Sequence, residues 1–236
     1  MKEIIGFVFD VDDTIYNQII PFRNACRDVL KVAVPDQPEE WYQIFLRCSQ
    51  EMFRANESGE ISLEESRVQR ALNTMKCCGV PFNKEQAVKF QERYLYHQLH
   101  LQISDTMREI LMKCRKKGGC IGLLTNGPYE HQMRKIRAMH LPELISEEHM
   151  LVSESAGYTK PDVRIFRMME EKLGMKPSQL YMIGDSYVND IAGAIGAGWH
   201  SIWMNHHQRS LPERAENPEF TVYSETELEK LIFSLL

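Results

Sequence analysis

Three carboxylates follow a short apolar run near the start of the chain. The run Ile4–Phe9 leads directly into Asp10, Asp12 and Asp13, with Thr14 immediately after them. Two like charges about 4 Å apart repel by roughly 4 kcal/mol at an effective dielectric constant near 20, so acids at the tip of an apolar strand need a bound cation or a lysine. Hard divalent cations such as Mg²⁺ prefer carboxylate oxygens, and the segment therefore predicts a cation-assisted site.

Further polar residues follow three later segments of the same kind. In open α/β sheets, ligands bind outside the carboxyl ends of the strands, so residues that follow different strands converge on one site. We expect the polar residues after these segments to lie close to the first acidic cluster. They are Thr125 with Asn126, Lys160 directly before a proline, and Asp185 with Asp190 five residues later.

This set of side chains suits phosphoryl transfer, which depends on charge neutralisation and positioning more than on elaborate covalent chemistry. Asp10 is the expected nucleophile, because a carboxylate can accept a phosphoryl group and so divide hydrolysis into two steps. Asp12 can act first as an acid and then as a base if its neighbours raise its pKa enough. Thr125 offers a hydroxyl group to a phosphoryl oxygen, and Lys160 offers a positive charge. Asp185 completes the expected metal site.

Short apolar runs with helical stretches between them are the elements that must position these residues. Helical patterns over 161–173, with Pro161 as the first helical residue, and over 187–197 each separate two strands, which is βαβ alternation. We therefore predict an α/β fold with a Rossmann-like, doubly wound parallel sheet. Its predicted strands are Ile4–Phe9, Cys120–Thr125, Met150–Ser153, Leu180–Gly184, His200–Met204 and Phe220–Tyr223.

A long helical segment separates the first two strands, although a crossover needs only about a dozen residues. Apolar residues recur there at helical spacing in three stretches, the first from Phe22 to Ala33, and the segment has room for four helices. We predict an inserted α-helical domain over 15–102, within a core formed by 1–14 and 103–236. The helix-start signals are Ser62 with Glu65, Asn83 with Gln86, and Ser104 at the beginning of the true crossover helix.

Composition and charge exclude several classes of function. The chain has 28 basic and 33 acidic residues and a net charge of -5, which gives no overall basic footprint for a nucleic acid polymer. The apolar run at its start is far too short for a signal-peptide core or a membrane span. We expect a cytoplasmic protein whose partner is a small molecule, and its oligomeric state is left open.

The four polar segments resemble the motifs of the haloacid dehalogenase superfamily of phosphohydrolases. In chain order they read D-V-D-D-T, L-L-T-N, lysine before proline, and G-D-S-Y-V-N-D. The resemblance implies that Asp10 is the nucleophile and that Asp12 is the acid and base. It also implies a Mg²⁺ ion held by Asp10, by the backbone carbonyl of Asp12 and by Asp185.

The same resemblance implies roles for the remaining motif residues. Thr125, Asn126 and Lys160 would bind the phosphoryl group of the substrate. Asp190 would help to orient Lys160, and Thr14 would support the residues that contact the metal and the substrate. The helical insert resembles the family's helical cap of the first type, which closes over the site and selects the substrate.

Asp12 separates branches of this superfamily. Members that cleave carbon–halogen bonds lack an acid at this position and need no Mg²⁺, so Asp12 favours hydrolysis of a phosphomonoester, of the nucleotide or sugar-phosphate type. A phosphomutase acting on a sugar phosphate would use the same core. A receiver module of a signalling system, which is phosphorylated without turnover, also combines paired acids, a threonine and a lysine around Mg²⁺, but it needs no helical insert.

Overall fold

The structure is a computed structural model that describes residues 4–30, 33–35 and 38–236. Within these residues, six strands form one sheet in the order β3-β2-β1-β4-β5-β6, and every neighbouring pair is parallel. This sheet confirms the predicted fold class. The strands are β1 (Gly6–Phe9), β2 (Cys120–Thr125), β3 (Met150–Val152), β4 (Leu180–Gly184), β5 (His200–Met204) and β6 (Phe220–Val222).

Ten α-helices accompany the sheet within the described residues. They are α1 (Ile19–Val29), α2 (Glu39–Glu57), α3 (Leu63–Cys77), α4 (Lys84–Gln98), α5 (Asp105–Lys116), α6 (Tyr129–Ala138), α7 (Ser153–Ala156), α8 (Val163–Leu173), α9 (Ala192–Gly196) and α10 (Glu225–Leu235).

Both faces of the sheet are buried, as a doubly wound fold requires. Val8 and its β4 partner Met182 lie in one apolar cluster with Phe166 of α8 and Ala194 of α9. Successive side chains of a strand point to opposite faces, so Phe9 faces the other side, where it is also fully buried. Because apolar side chains fill both faces, the strands read as continuous apolar runs rather than as alternating patterns.

The central position of β1 determines where the site forms. Phe9, the last residue of β1, pairs with Leu123 of β2 on one side and with Ile183 of β4 on the other. The chain leaves β1 and winds first towards β2 and β3, and later towards β4, β5 and β6, so the direction of winding reverses at β1. The carboxyl end of a strand at such a switch point opens a crevice in which ligands bind.

Two core elements differ from their predictions. Asp162 is the N-cap of α8 and its side chain accepts a hydrogen bond from the Arg164 backbone at 2.9 Å, so Pro161 precedes the helix instead of opening it. The predicted helix over 187–197 consists of a π-helical turn, Tyr187–Ile191, followed by α9. Both differences arise from local side-chain and turn geometry, which the spacing of apolar residues in the sequence does not predict.

Helices α1–α4 form a second compact unit, Gln18–Leu101, separate from the unit made of the described residues up to Asn17 and Gln102–Leu236. Its core is aromatic. Phe22 of α1 is fully buried, with its ring 4.9 Å from that of Phe45 and 5.9 Å from that of Phe90. Aromatic pairs at these separations stabilise a core beyond the area that they bury.

The helix ends of this unit test the predicted capping signals. The Asn83 side chain accepts from the Gln86 backbone while the Gln86 side chain accepts from the Asn83 backbone, which is a complete capping box. Ser62 accepts from the Glu65 backbone at 3.1 Å, as predicted for α3. The first helix ends at Val29, earlier than the predicted Ala33, and residues 31 and 32 of that prediction lie outside the described residues, as do residues 1–3 of the predicted core.

Among the described residues, no helix combines the length and the apolarity needed to cross a membrane.

Replacement of the central aromatic side chain should destabilise the helical unit. Phe22→Ala removes a fully buried ring, and we expect the free energy of unfolding to fall by about 3–5 kcal/mol. Phe53→Ala is the matched control, because the Phe53 side chain is largely exposed and its loss should change that free energy by about 0.5 kcal/mol or less. Urea denaturation followed by circular dichroism measures both values, and equal losses in the two variants would contradict the assigned core.

Candidate active site

Asp10 lies directly after β1, at the switch point of the sheet. Its backbone N–H donates to the carbonyl of Ile183 in β4 at 2.9 Å, which extends the strand pairing by one residue and fixes the position of the Asp10 side chain. Asp10 is nearly buried, with 7% of its surface exposed. A carboxylate in such a place requires nearby positive charge or hydrogen-bond donors.

Lys160 supplies this charge. Its Nζ atom donates to Asp10 Oδ1 at 2.7 Å, to Asp190 Oδ1 at 2.6 Å and to the carbonyl of Leu124 at 2.8 Å, so all three of its hydrogens have acceptors. Burial disfavours the charged ammonium, but the two carboxylates outweigh burial and raise the pKa of Lys160. Lys160 is therefore a fixed, buried cation between two acids.

Asn126 holds the backbone around this lysine. The Asn126 side-chain nitrogen donates to the carbonyl of Lys160 at 3.0 Å, and the Lys160 backbone N–H donates to Asn126 Oδ1 at 2.9 Å. Both ends of the Asn126 amide thus bind the segment that carries Lys160, and a role of Asn126 in binding substrate stays a prediction. Thr125 is the last residue of β2 and is almost fully buried.

Asp190 lies in a π-helical turn, Tyr187–Ile191, and such turns are frequent at functional sites. Asp190 Oδ2 accepts from the backbone N–H of Ser186 at 3.0 Å, while Oδ1 binds Lys160. The carboxylate packs directly on Gly184, where an added Cβ atom would lie 2.2 Å from Asp190 Oδ2. Only glycine fits at this position, because any side chain would displace the acid.

Three acids at this edge of the sheet could bind one cation. Carboxylate oxygens of Asp10, Asp185 and Asp190 all lie within 4.8 Å of one another. Burial, together with the charges of neighbouring acids, raises the pKa of Asp10 to about 7, although Lys160 opposes the shift. Burial and the charges of Asp10 and Asp13 likewise raise the pKa of Asp185 to about 7. The positive charge of Lys160 is therefore too small to balance the negative charge of these acids. A hard divalent cation fits their donor set, which consists of oxygen atoms only.

Arg209 is the second cation near this cluster. Its guanidinium donates to Asp185 Oδ2 at 3.1 Å, and its side chain is about 40% exposed. The residue lies in a polar stretch, 205–219, whose sequence indicates only a surface loop, so sequence reasoning missed it. An arginine among polar loop residues gives no signal that it reaches a strand end across the fold.

Asp12 has a different set of partners. Lys135 Nζ donates to both of its carboxylate oxygens, at 2.5 and 2.6 Å, Tyr16 donates to Oδ1 at 2.5 Å, and Gln132 donates to Oδ2 at 2.9 Å. Burial disfavours ionisation, but the Lys135 charge and these hydrogen bonds outweigh it and lower the pKa of Asp12. The neighbours of Asp12 therefore do not supply the raised pKa that was named as the condition for its acid–base role, since a buried ammonium lies against the carboxylate.

Gln132 and Lys135 were not predicted as site residues. Both lie on the buried face of α6, where each is 3% exposed, beside the apolar residues Met133 and Ile136. The available signal was a glutamine and a lysine three residues apart on an apolar helix face, soon after the Thr125–Asn126 segment. Such a lysine has to find a buried acid, because an unpaired buried ammonium is strongly unfavourable.

Thr14 and Asp13 lie at the base of the acidic loop. Thr14 is 2% exposed, and its hydroxyl oxygen is buried without a hydrogen-bond partner in the described part of the chain. Asp13 adopts a positive φ of 56° and is also nearly buried. The predicted supporting role of Thr14 stays a prediction.

A family model described as haloacid dehalogenase-like hydrolase matches residues 6–198, which include every motif segment. The chain belongs to this family. The match confirms the resemblance that the four motifs indicated.

Two curated relatives of this hydrolase are phosphatases. A glyceraldehyde 3-phosphate phosphatase of Pyrococcus furiosus is 30% identical over 53% of this chain and 51% of the relative. The pyrimidine 5'-nucleotidase YjjG of Escherichia coli is 35% identical over 48% of this chain and 49% of the relative. The chain thus aligns with about half the length of these relatives.

Solved structures share the fold of this family member. A HAD hydrolase of Bacillus subtilis bound to magnesium is 22% identical, with a TM-score of 0.71 and coverage of 98% of this chain and 99% of the other. A dehalogenase with a bound intermediate is 16% identical, with a TM-score of 0.75 and 98% coverage of both chains. These likenesses concern the fold, and the fold is shared by members with different substrates.

Removal of the Lys160 charge should destabilise the core unit. Lys160→Met leaves the Asp10 and Asp190 carboxylates buried without their shared cation, and we expect the free energy of unfolding to fall by about 3–5 kcal/mol. Lys116→Met removes an exposed lysine of the same unit and should change it by about 0.5 kcal/mol or less. Adding Asp190→Asn to Lys160→Met should restore part of the loss in denaturation experiments. No recovery would mean that the two side chains do not act as a charge pair.

Proposed function

We propose that this protein is a Mg²⁺-dependent phosphomonoesterase that hydrolyses a small phosphorylated metabolite through an aspartyl-phosphate at Asp10. The observation that carries the proposal is the buried Asp10 carboxylate, held by Lys160 at the switch point of the sheet beside two further acids. This arrangement combines a nucleophile, a fixed cation and a cation-binding donor set in one place. Phosphoryl transfer needs these three elements.

In the proposed first step, Asp10 attacks the phosphorus atom. Lys160 binds Oδ1 of Asp10, so Oδ2 forms the new bond to phosphorus while the bond from phosphorus to the ester oxygen breaks. Asp12 gives a proton to that leaving oxygen. In the second step, water attacks the phosphorus atom, Asp12 takes a proton from the water, and the acyl-phosphate bond breaks to release phosphate and restore the Asp10 carboxylate.

Asp12 must be protonated when the first step begins, although Lys135 favours its ionised form in the structure. A bound phosphate dianion repels a neighbouring carboxylate and so raises its pKa. Substrate binding therefore promotes the protonation that the first step requires. After the leaving group departs, the Lys135 charge favours the ionised Asp12 carboxylate, which the second step needs as a base.

The carboxylates of Asp10 and Asp185 would hold the Mg²⁺ ion, together with the Asp12 backbone carbonyl. When bound, Mg²⁺ supplies positive charge to the phosphoryl oxygens and to the acids around them. Lys160 is already shared between Asp10 and Asp190, which leaves Asp190 in the role of orienting that lysine.

The substrate class is proposed from the relatives. One acts on a sugar phosphate and another is a nucleotidase by name, so we propose a small phosphomonoester of one of these two types. The helical unit Gln18–Leu101 is proposed to be the substrate-selecting cap, because it interrupts the chain between the first two motifs. A cytoplasmic location is proposed with this metabolic role.

The activity is tested by phosphate release from a panel of nucleotides, sugar phosphates and other small phosphoesters, with Mg²⁺ or with a chelator. We expect release that requires Mg²⁺ and is concentrated on one group of compounds. Asp10→Asn should lower kcat by more than about 10⁴-fold while the fold persists, because the nucleophile is lost. Glu130→Gln changes an exposed acid of the same unit and should leave kcat unchanged.

Each rival function has a distinct outcome in this experiment. A phosphomutase would isomerise a sugar phosphate without net phosphate release, and product analysis would detect the isomer. A receiver module would become phosphorylated once without turnover. Full Mg²⁺-dependent activity in Asp10→Asn would exclude Asp10 as the nucleophile.

The metal site is tested independently of activity. Mg²⁺ should raise the melting temperature of the wild-type protein, because binding to the folded state alone stabilises it by mass action. Asp185→Asn should remove most of this shift, since it removes one of the clustered carboxylates. Glu130→Gln should retain the wild-type shift in the same thermal scan. An undiminished shift in Asp185→Asn would place the ion elsewhere.

A further inference from the structure

We propose that Lys135 and Gln132 are positioning residues that hold the Asp12 carboxylate in one orientation for its proton transfers. The inference rests on the proposed function and deepens it, because it names residues outside the four motifs on which the acid–base step depends. It is carried by the contacts between α6 and the loop after β1.

Lys135 fixes both oxygens of Asp12 at once. Its Nζ atom lies 2.5 Å from Oδ1 and 2.6 Å from Oδ2, and its side chain is 3% exposed. Tyr16 donates to Oδ1 at 2.5 Å, so the carboxylate is held from two sides. A carboxylate bound through both oxygens cannot rotate about its terminal bond without losing a charged contact.

Gln132 links Asp12 to the neighbouring loop. Its Nε2 atom donates to Asp12 Oδ2 at 2.9 Å and to the carbonyl of Asn126 at 2.6 Å. Its Oε1 atom is buried without a hydrogen-bond partner among the described residues, which is unfavourable. The reverse orientation of the amide would place that oxygen against the Asp12 carboxylate, so both donors of Gln132 are committed to these two acceptors.

The link through Asn126 connects the two sides of the site. Asn126 also binds the backbone of Lys160 through both ends of its amide. Gln132 therefore fixes Asp12 relative to the same segment that fixes Lys160, and Lys160 binds Asp10. One continuous set of hydrogen bonds thus sets the position of the acid relative to the nucleophile.

The placement of Lys135 is not required by the folding of α6. The helix buries four residues, and two of them, Gln132 and Lys135, are polar. Apolar side chains of similar volume would fill the same buried positions without the desolvation of an ammonium group. Arg134 and Arg137 of the same helix are exposed, so the helix has ample positive charge at its surface. The described polar contacts of the Lys135 side chain are all to Asp12.

Orientation matters because a proton donor must lie within about 2.6–3.2 Å of the atom that it serves. A displacement of about 1 Å can lower a rate about 100-fold. The effect depends on the leaving group. p-Nitrophenolate is a stable anion that departs without a proton, whereas an alkoxide departs only with one, so a misplaced Asp12 slows the alkyl ester selectively.

The experiment compares p-nitrophenyl phosphate with a simple alkyl phosphate, and measures leaving-group release in a single turnover of the full protein with Mg²⁺. The later hydrolysis of the aspartyl-phosphate, which both substrates share, does not enter this rate. Lys135→Met should slow the alkyl phosphate at least about 10-fold more than p-nitrophenyl phosphate, with a change below about 3-fold in the concentration that gives half of the maximal single-turnover rate. Lys135→Arg should recover part of the selective loss, because it restores a cation.

Two variants act as references. Arg134→Met removes one positive charge from the exposed face of the same helix and should change neither rate. Gln132→Leu removes the link to Asn126 while it keeps the Lys135 contact, and should give a smaller loss with the same preference for the alkyl phosphate. If Lys135→Met does not fold, Lys135→Arg and Gln132→Leu decide the question by the same ratio of rates.

Equal losses on the two substrates, or no loss, would overturn the positioning role and leave Lys135 as a structural counter-charge. Absence of leaving-group release by the wild-type protein from either substrate would instead overturn the proposed function, and the inference with it. Turnover by the wild type, combined with equal losses on the two substrates in Lys135→Met, would overturn the positioning role alone and leave the proposed function standing.

Discussion

The ammonium group of Lys160 is the interaction on which the site depends, because it is the buried cation that joins two buried acids from different strands. Asp10 follows β1 and Asp190 follows β4, and their carboxylates would repel each other without it. The lysine is fixed by the carbonyl of Leu124 and, through its backbone, by Asn126. Three neighbouring strand ends thus converge on one nitrogen atom.

The need for one cation shared by Asp10 and Asp190 explains local features that packing alone does not require. Gly184 leaves the space that the Asp190 carboxylate occupies, since any Cβ atom would overlap its oxygen. The π-helical turn Tyr187–Ile191 places Asp190 where its second oxygen reaches the Ser186 backbone N–H. The lysine nevertheless supplies one charge to several acids, and the pKa of Asp10 and of Asp185 stays raised to about 7 by burial and by repulsion from neighbouring acids. A divalent cation relieves this repulsion, which links the buried lysine to the proposed metal.

The sheet and the order of the motifs could be predicted from the sequence because each depends on local pattern. Buried parallel strands appear as apolar runs, and the polar residues directly after them must meet at one edge. The contacts of Lys135 and Gln132 could not be predicted in the same way, since their burial depends on which face of α6 is turned inward in the folded protein. Arg209 reaches Asp185 from a polar loop, and no periodicity marks that approach. The end of α1 at Val29 was also missed, because apolar spacing continues beyond the point where the backbone becomes extended.

The two acids of the first motif occupy opposite electrostatic environments although they are only two residues apart. Asp10 shares its cation with Asp190, and burial raises its pKa, whereas Asp12 has Lys135 to itself with two further donors, and its pKa is lowered. In the loop after β1, the proposed nucleophile and the proposed acid–base group would need different surroundings, because one would attack phosphorus and the other would exchange protons. Each of the two acids binds a different lysine, so their carboxylates have different surroundings within one loop. Pairs of titratable groups whose surroundings push their pKa values apart are typical of acid–base assignments in active sites, and here the difference originates in α6, outside the motifs themselves.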